Sequence, residues 1–346
     1  MNHPKTNAMK KMFFLIAAAI VCASAHAKIW RVNNIAGITA NFTTLQAAHD
    51  AAAIGDTIHL EPSSTNYGDL TMTKRLSIIS TGQFATNNPG FQQDIKNGFA
   101  RNITISDAAA NGSLLSIRYS GLISISGAAV GNISLLNCAT TTPDQCHPAN
   151  GGISIQDADN MIISGGWFAV IWLTGNAQNI VIRNNIIGNR IFVTNQSTAI
   201  ITNNVISATS VDNSCSSGGP VLFNSVVTNN IFLKGTGNVN FSGSQVQNNF
   251  SADASLPLGN GNLGNVNMAN VFVNGTGVFV DNAYLLKAGS PAIGAGLNGE
   301  DLGAFGGMNP FRLAVTPSIP SIYKLSVPSA ASGGAMNIIF STRSNN

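Results

Sequence analysis

The sequence predicts an all-β solenoid, a parallel β-helix with an N-terminal capping helix and a short C-terminal tail. The first observation is a repeated phrase: Ile163-Ser-Gly-Gly-Trp-Phe, Ile182-Arg-Asn-Asn-Ile-Ile, Ile201-Thr-Asn-Asn-Val-Ile, Val227-Thr-Asn-Asn-Ile-Phe and Val246-Gln-Asn-Asn-Phe-Ser, in steps of 19, 19, 26 and 19 residues. A unit this short holds about three strands of a few residues plus turns, so it can bury its apolar face only against copies of itself. The second observation is a succession of short alternating strands with no long helices between them, which favours a β-helix over a β/α sheet. A long sandwich or a propeller is the alternative arrangement of such strands.

Residues 1–27 read as a secretory signal: Lys5, Lys10 and Lys11, the apolar run Met12 to Val21, then Ala25-His26-Ala27 before an expected cleavage at Lys28. The apolar run is shorter than the roughly 20 residues needed to span a bilayer, so no transmembrane segment is expected. The expected destination is extracellular or the cell surface, with the periplasm as the other compartment. Lys28 to Asn33 reads as a strand, and Phe42 to Ala53 as an amphipathic helix beginning at Asn41 or Thr43 and ended by Gly55. This helix is the natural cover for an open first rung, whose bare backbone and apolar side chains would otherwise invite association.

Strand alternation continues at Thr57 to Leu60, Leu70 to Ile79, Ile103 to Ser106, Leu114 to Arg118, Leu122 to Ser126 and Ile133 to Leu136, punctuated by Gly, Pro and Ser. The solenoid is expected to occupy residues 28–309. Beyond it, Pro310, Pro317, Pro320 and Pro328 separate two strand-like runs, Ile322 to Val327 and Met336 to Ser341. This 310–346 tail is too short for a second globular domain. It is expected either to pack on the solenoid or to be a disordered or secretion-related extension.

The 17 basic residues less the three lysines of the leader leave 14, equal to the 14 acidic residues. A balanced chain with no clustered basic surface excludes a phosphate-backbone reader, so no nucleic-acid partner is expected. Cys138, Cys146 and Cys215 follow the leader, in a setting where disulfides persist. Cys138 with Cys146 would close a short loop and leave Cys215 odd; the alternative is three buried or loop thiols. No Cys/His spacing fits a zinc site.

Aligned on the 19-residue step, Asn184, Asn203, Asn229 and Asn248 form one column and Asn185, Asn204, Asn230 and Asn249 the next. Stacked amides at the roughly 4.8 Å strand spacing can bond up and down the column, and Asn tolerates the left-handed backbone of a sharp corner. These are read as structural ladders. The column before them, Ser164, Arg183, Thr202, Thr228 and Gln247, is polar and is expected to face outward.

Ala47-Ala48-His-Asp-Ala-Ala-Ala-Ile-Gly-Asp56-Thr-Ile-His-Leu60, with Tyr67-Gly-Asp-Leu and Leu76-Ser-Ile-Ile79, resembles the opening of right-handed parallel β-helix proteins of the pectate-lyase-like superfamily. Ala288-Gly-Ser-Pro-Ala-Ile-Gly-Ala-Gly296, with Asp301-Leu-Gly-Ala-Phe-Gly306, is similar to the closing segment of secreted bacterial members. The resemblance spans about residues 29 to 306. It implies a right-handed coil and action on an extracellular polysaccharide. Relatives often carry an acid where this chain has Gly294, so that carboxylate's role is absent here.

In such enzymes an outward Arg or Lys can serve as base beside carboxylates that hold calcium or neutralise the substrate acid. Arg183 is the corresponding candidate, although its column offers no acidic neighbour. Asp157 and Asp159 are the best carboxylate pair for acid–base work or for a hard cation such as calcium, set against a polar turn containing two acids. Extra residues within Ala139 to Gly152 and Ala208 to Pro220 fall in a similar phase, so two loops could wall a groove; they bring Asp144, His147 and Asp212 as candidate binding residues. Trp172 is the aromatic best placed to stack on a sugar ring, whereas Trp167 aligns with Ile186 and Val205 and reads as core. No metal site is assigned.

The function expected from these residues is a noncatalytic carbohydrate-binding or adhesive scaffold with a polysaccharide or cell-surface glycan as partner and no required cofactor. A polysaccharide lyase or glycoside hydrolase is the alternative. Ice binding ranks last, because the columns change identity from rung to rung instead of presenting a flat threonine array.

Overall fold

The computed structural model describes residues 27–82, 84, 97–142, 148–207, 221–233, 240–274, 280–313, 321–329 and 335–343. The described chain coils as a right-handed parallel β-helix. One face stacks ten strands in parallel, from Ile29–Val32 and Thr57–Leu60 through Ile162–Ser164, Ile180–Arg183 and Ala199–Thr202 to Gln245–Gln247. The other two faces share a 13-stranded sheet: the second runs through Arg118–Tyr119, Ala139–Thr140 and Val205–Ile206, and the third through Leu70–Met72, Ile103–Ile105, Ile123–Ser126 and Ile153–Gln156.

Along each strand alternate residues enter the interior. On the first face Ile163, Ile182, Ile201 and Val227 are buried, and on the third Ile123, Ile125, Ile153 and Ile155 are. The helix is Leu45–Ala51, shorter than the sequence suggests because Thr44 caps it and Ala52 is already extended. It still covers the first rung: Leu45, Ala48 and His49 are buried, and the His49 Nε2 accepts the Thr73 backbone N–H at 3.1 Å. The expected strands Leu70 to Ile79 and Leu114 to Arg118 each divide at a corner. In the second, Ser116 turns through φ +56° between Ser113–Leu115 and Arg118–Tyr119.

The paired asparagines divide their labour. The second of each pair is fully buried and forms the ladder. Asn185, Asn204, Asn230 and Asn249 each accept, through Oδ1, the backbone N–H and side-chain Nδ2–H of the rung before or lend their own to the rung after, at 2.9–3.1 Å, ending on Asn262. Upstream the ladder stops at Gly166, whose N–H donates to Asn185 Oδ1 at 2.9 Å. A side chain there would strike Phe168 and the Cys138 carbonyl, each under 3.0 Å from where its Cβ would stand. Cys138 occupies the same column one rung earlier, and its Sγ lies 3.5 Å from the Leu114 and Leu136 carbonyls.

Cys138 is therefore a free interior thiol, the buried-thiol alternative of the two readings. Its burial pushes its pKa up to about 12. Cys146 and Cys215 lie outside the described residues, as does the leader through residue 26.

The first asparagine of each pair takes the left-handed corner, φ +52° to +58° at Asn184, Asn203, Asn229 and Asn248. Its side chain does not stack on its neighbours; it holds the returning C-terminal segment. Asn248 Nδ2 donates to the Ala295 carbonyl, Asn229 Nδ2 to Glu300 Oε2, Asn203 Nδ2 to the Asp301 carbonyl, and Asn184 Nδ2 to the carbonyls of Ala304 and Gly306. Residues 295–306 thus climb back along the solenoid one rung at a time. Beneath them a second apolar layer forms outside the coil, where Trp167, Ile186, Val205, Ile231 and Phe250 meet Phe272, Tyr284, Leu302 and Phe311. Trp167 is buried as expected, but in this outer layer. In the tail, Ser321–Ser326 and Ile339–Arg343 pair antiparallel as a separate hairpin. Among the described residues no helix is long and apolar enough to cross a membrane.

Candidate functional site

The corner between the second and third faces is the irregular part of the coil. On most rungs the chain breaks there into two short strands. Trp167–Thr174 and Ile186–Val193 instead run continuously around it for eight residues each. The rung before them makes a long connection from Thr140 to Ile153, and the rung after them one from Ile206 to Val221. Both predicted insertions therefore leave from one corner, with two uninterrupted rungs between them. Asp144, His147 and Asp212, the candidate residues within those insertions, lie outside the described residues.

The side chains that the uninterrupted rungs turn outward are unlike their neighbours. In register along the third face come Ser124, Ser154, Trp172, Phe192 and Val221. Serine gives way to two aromatics on adjacent rungs, whose ring centroids lie 5.8 Å apart at 46°, within the range of favourable aromatic pairs. Both rings are part-exposed. Two residues earlier, Val170 pairs with Arg190, which is part-exposed like the two rings. Burial pulls the Arg190 pKa below its ordinary value, yet an arginine stays cationic at neutral pH.

Phe192 escaped the sequence analysis for a definable reason. Opposite Phe168 to Val170 the next strand carries one extra residue between Ile187 and Arg190, so Trp167 pairs with Ile186, 19 residues on, but Trp172 pairs with Phe192, 20 residues on. A fixed 19-residue step places Ile191 opposite Trp172 and sends Phe192 to the wrong face.

The proposed acid–base residues are not brought together. Asp157 and Asp159 do not alternate along a strand; they flank the buried Ala158 in the corner that follows Ile153–Gln156. Asp157 sits at φ +55°, and its Oδ1 accepts the Asn176 backbone N–H at 2.8 Å; Asp159 Oδ1 accepts the Gln178 N–H at 2.8 Å. Each carboxylate thus ties its turn to the next rung, which is the polar-turn reading. Arg183 lies on the first face, opposite Ser164 of the preceding rung and Thr202 of the next. The left-handed turn at Asn160 separates Asp159 from the strand Ile162–Ser164, beside which Arg183 stacks on the next rung.

Two more carboxylates line a shallow hollow with Phe305, Gly306, Gly307 and Met308 on the returning segment. Glu300 accepts from Asn229 Nδ2 at 3.1 Å, and Asp301 Oδ1 from the Gly294 N–H at 2.8 Å, so both hold the segment's own shape. Among the described residues no three His, Cys, Asp or Glu side chains gather as metal ligands would.

Fold and geometry define a class: a parallel β-helix that carries a part-exposed pair of aromatics, Trp172 and Phe192, between two loop-bearing rungs. No protein-family model and no curated protein sequence matches the chain.

Proposed function

We propose that the protein is a secreted or cell-surface β-helix scaffold that binds a polysaccharide or cell-surface glycan without cleaving it. The observation that carries this reading is the outward Trp172–Phe192 pair, set on rigid strands between two rungs that carry the insertions. Aromatic faces stack on the apolar faces of sugar rings. The resemblance to pectate-lyase-like proteins supports the same class of partner. It also supports the alternative, a lyase or hydrolase, but Asp157 and Asp159 serve their turns and Arg183 lies on another face.

The test is a glycan panel run with the purified protein, with and without calcium, reading both retention and the release of unsaturated or reducing ends. Retention without release is expected. Trp172→Ala is expected to weaken retention about tenfold, the loss of about 1.4 kcal/mol that a well-placed aromatic contributes at an interface. Release of sugar ends that Asp157→Asn or Arg183→Ala abolishes would replace this reading with the enzymatic one. Retention that Trp172→Ala leaves unchanged would remove the patch from consideration.

A further inference from the structure

Among the described residues the carboxylate of Asp56 is buried with no cationic partner. Asp56 is 4% exposed, in the corner that leads into Thr57–Leu60. Its Oδ1 accepts the Lys28 backbone N–H at 2.8 Å, and its Oδ2 accepts the Trp30 Nε1–H at 2.8 Å and the Ala53 backbone N–H at 2.9 Å. Lys28 precedes the first strand, Trp30 lies in it, and Ala53 follows the capping helix, so one side chain ties the first rung to its cap. Chiefly the Lys28 N–H, against the opposing effect of burial, holds the Asp56 pKa below its ordinary value, so the group is charged at neutral pH.

All three donors are neutral. Among the described residues no Lys, Arg or His side chain forms an ion pair with Asp56, and the Lys28 ammonium lies over the Trp30 ring instead, 3.4 Å from its centroid. A buried charge is ordinarily paired, so this carboxylate is short of a countercharge. The Lys28 nitrogen is also the atom at which the expected cleavage falls. Ala25-His26-Ala27 has the small residues of a leader site, and Ala27 and Lys28 are exposed.

We propose that removal of the leader creates the missing cation, and that the α-ammonium of Lys28 pairs with Asp56 to lock the first strand and the helical cap together. Hydrolysis of the Ala27–Lys28 peptide bond by a leader peptidase adds one water across it. The new carboxylate departs on Ala27, and the Lys28 nitrogen, released as an α-amine, takes up a proton at neutral pH. An ammonium then stands where an amide N–H donated to Asp56 Oδ1 at 2.8 Å. The inference rests on the leader of the secreted reading above and not on glycan binding. The first rung is an open end of the coil, stacked on one side only, so it is where a contact made by processing changes stability most.

The test compares two proteins that differ by one residue, one starting at Lys28 and one at Ala27, each released from a fusion by a protease that leaves no extra residue. In the second, the Lys28 nitrogen is again a neutral amide. At pH 7 hydrogen exchange across residues 29–32 and 45–53 is expected to be about tenfold slower in the Lys28 form, the step from a neutral to a charge-assisted hydrogen bond, and equal in both forms at Ile182 and Ile201. The urea midpoint of the Lys28 form should also be the higher. Pairing holds the proton on the amine, so this difference is complete below the ordinary α-amino pKa of about 8 and is lost as pH rises beyond it. It should vanish in Asp56→Asn; where that variant loses the β-helix by circular dichroism, the pH series decides alone. N-terminal sequencing of the full chain exported by a bacterial host is expected to begin at Lys28. Equal protection in the two forms, or a difference that persists in alkali or in Asp56→Asn, would overturn the lock and leave secretion standing. A leader removed at another bond would do the same, whereas a leader retained would sink both the lock and the secreted reading.

Discussion

Removing one amide from the buried ladder should cost more than any surface change of the same size. Asn204 is fully buried. Its Oδ1 accepts the Asn185 backbone N–H and Nδ2–H, both at 3.0 Å, and its Nδ2 donates to the carbonyls of Ile182 and Thr202 and to Asn230 Oδ1 at 2.9–3.0 Å. After Asn204→Ala, Asn185 Nδ2 keeps the Ile163 carbonyl and Asn230 Oδ1 keeps the Asn204 backbone N–H. The Asn185 backbone N–H loses its side-chain acceptor and the Ile182 carbonyl its side-chain donor, in a site closed to water. At about 1–3 kcal/mol for each stranded group, the loss is about 4 kcal/mol.

Asn204→Asp sharpens the test, since the new carboxylate keeps the acceptor but points one oxygen at three others. Its folded pKa must rise above the ordinary carboxyl value of about 4. The variant's deficit is therefore smallest below that pH and grows as pH rises. Urea denaturation followed by circular dichroism, as midpoint and slope at pH 4 and pH 7, reads both effects. A loss below about 1 kcal/mol for Asn204→Ala, the scale of a solvated hydrogen bond, would refute the claim that the ladder is a sealed network.

The returning segment should loosen without the coil when its anchor is cut. Asn229→Gly keeps the φ of +58° available but removes the bonds to Glu300 and to the Leu297 N–H, so hydrogen exchange should rise across residues 295–306 and stay slow at Asn204 and Asn230. Acid should act at the edge of the third face. The Arg101 guanidinium, aided by the Asn102 N–H groups, holds Asp69 at about 2, below its unfolded value near 4. Its stabilisation is complete above pH 4 and is lost as pH falls toward 2, so Asp69→Asn should flatten that part of the acid-unfolding curve. The effect at neutral pH is expected to be small, because the pair is exposed and screened.

Local sequence determined the coil. The apolar period and the repeated Asn-Asn phrase specify strands too short to fold alone, and a left-handed corner that asparagine tolerates, so stacking and the ladder at Asn185, Asn204, Asn230 and Asn249 were legible from spacing alone. The helical cap and the two tail strands were legible for the same reason, since each depends on near neighbours. Tertiary structure decided what lies outside the coil. Asn184 and Asn185 are adjacent amides of one repeated phrase, but the first carries its amide outward to a segment 120 residues away and the second carries it inward to the next rung. A single extra residue between Ile187 and Arg190 turned Phe192 toward Trp172, and the left-handed turn at Asp157 took two acids off the strand where alternation had placed them. A repeat fixes what each residue does within its own rung; its partners across rungs and from the returning chain are set by packing, and packing is where the grip of the first Asn column on the returning chain, the outer apolar layer and the aromatic patch were made.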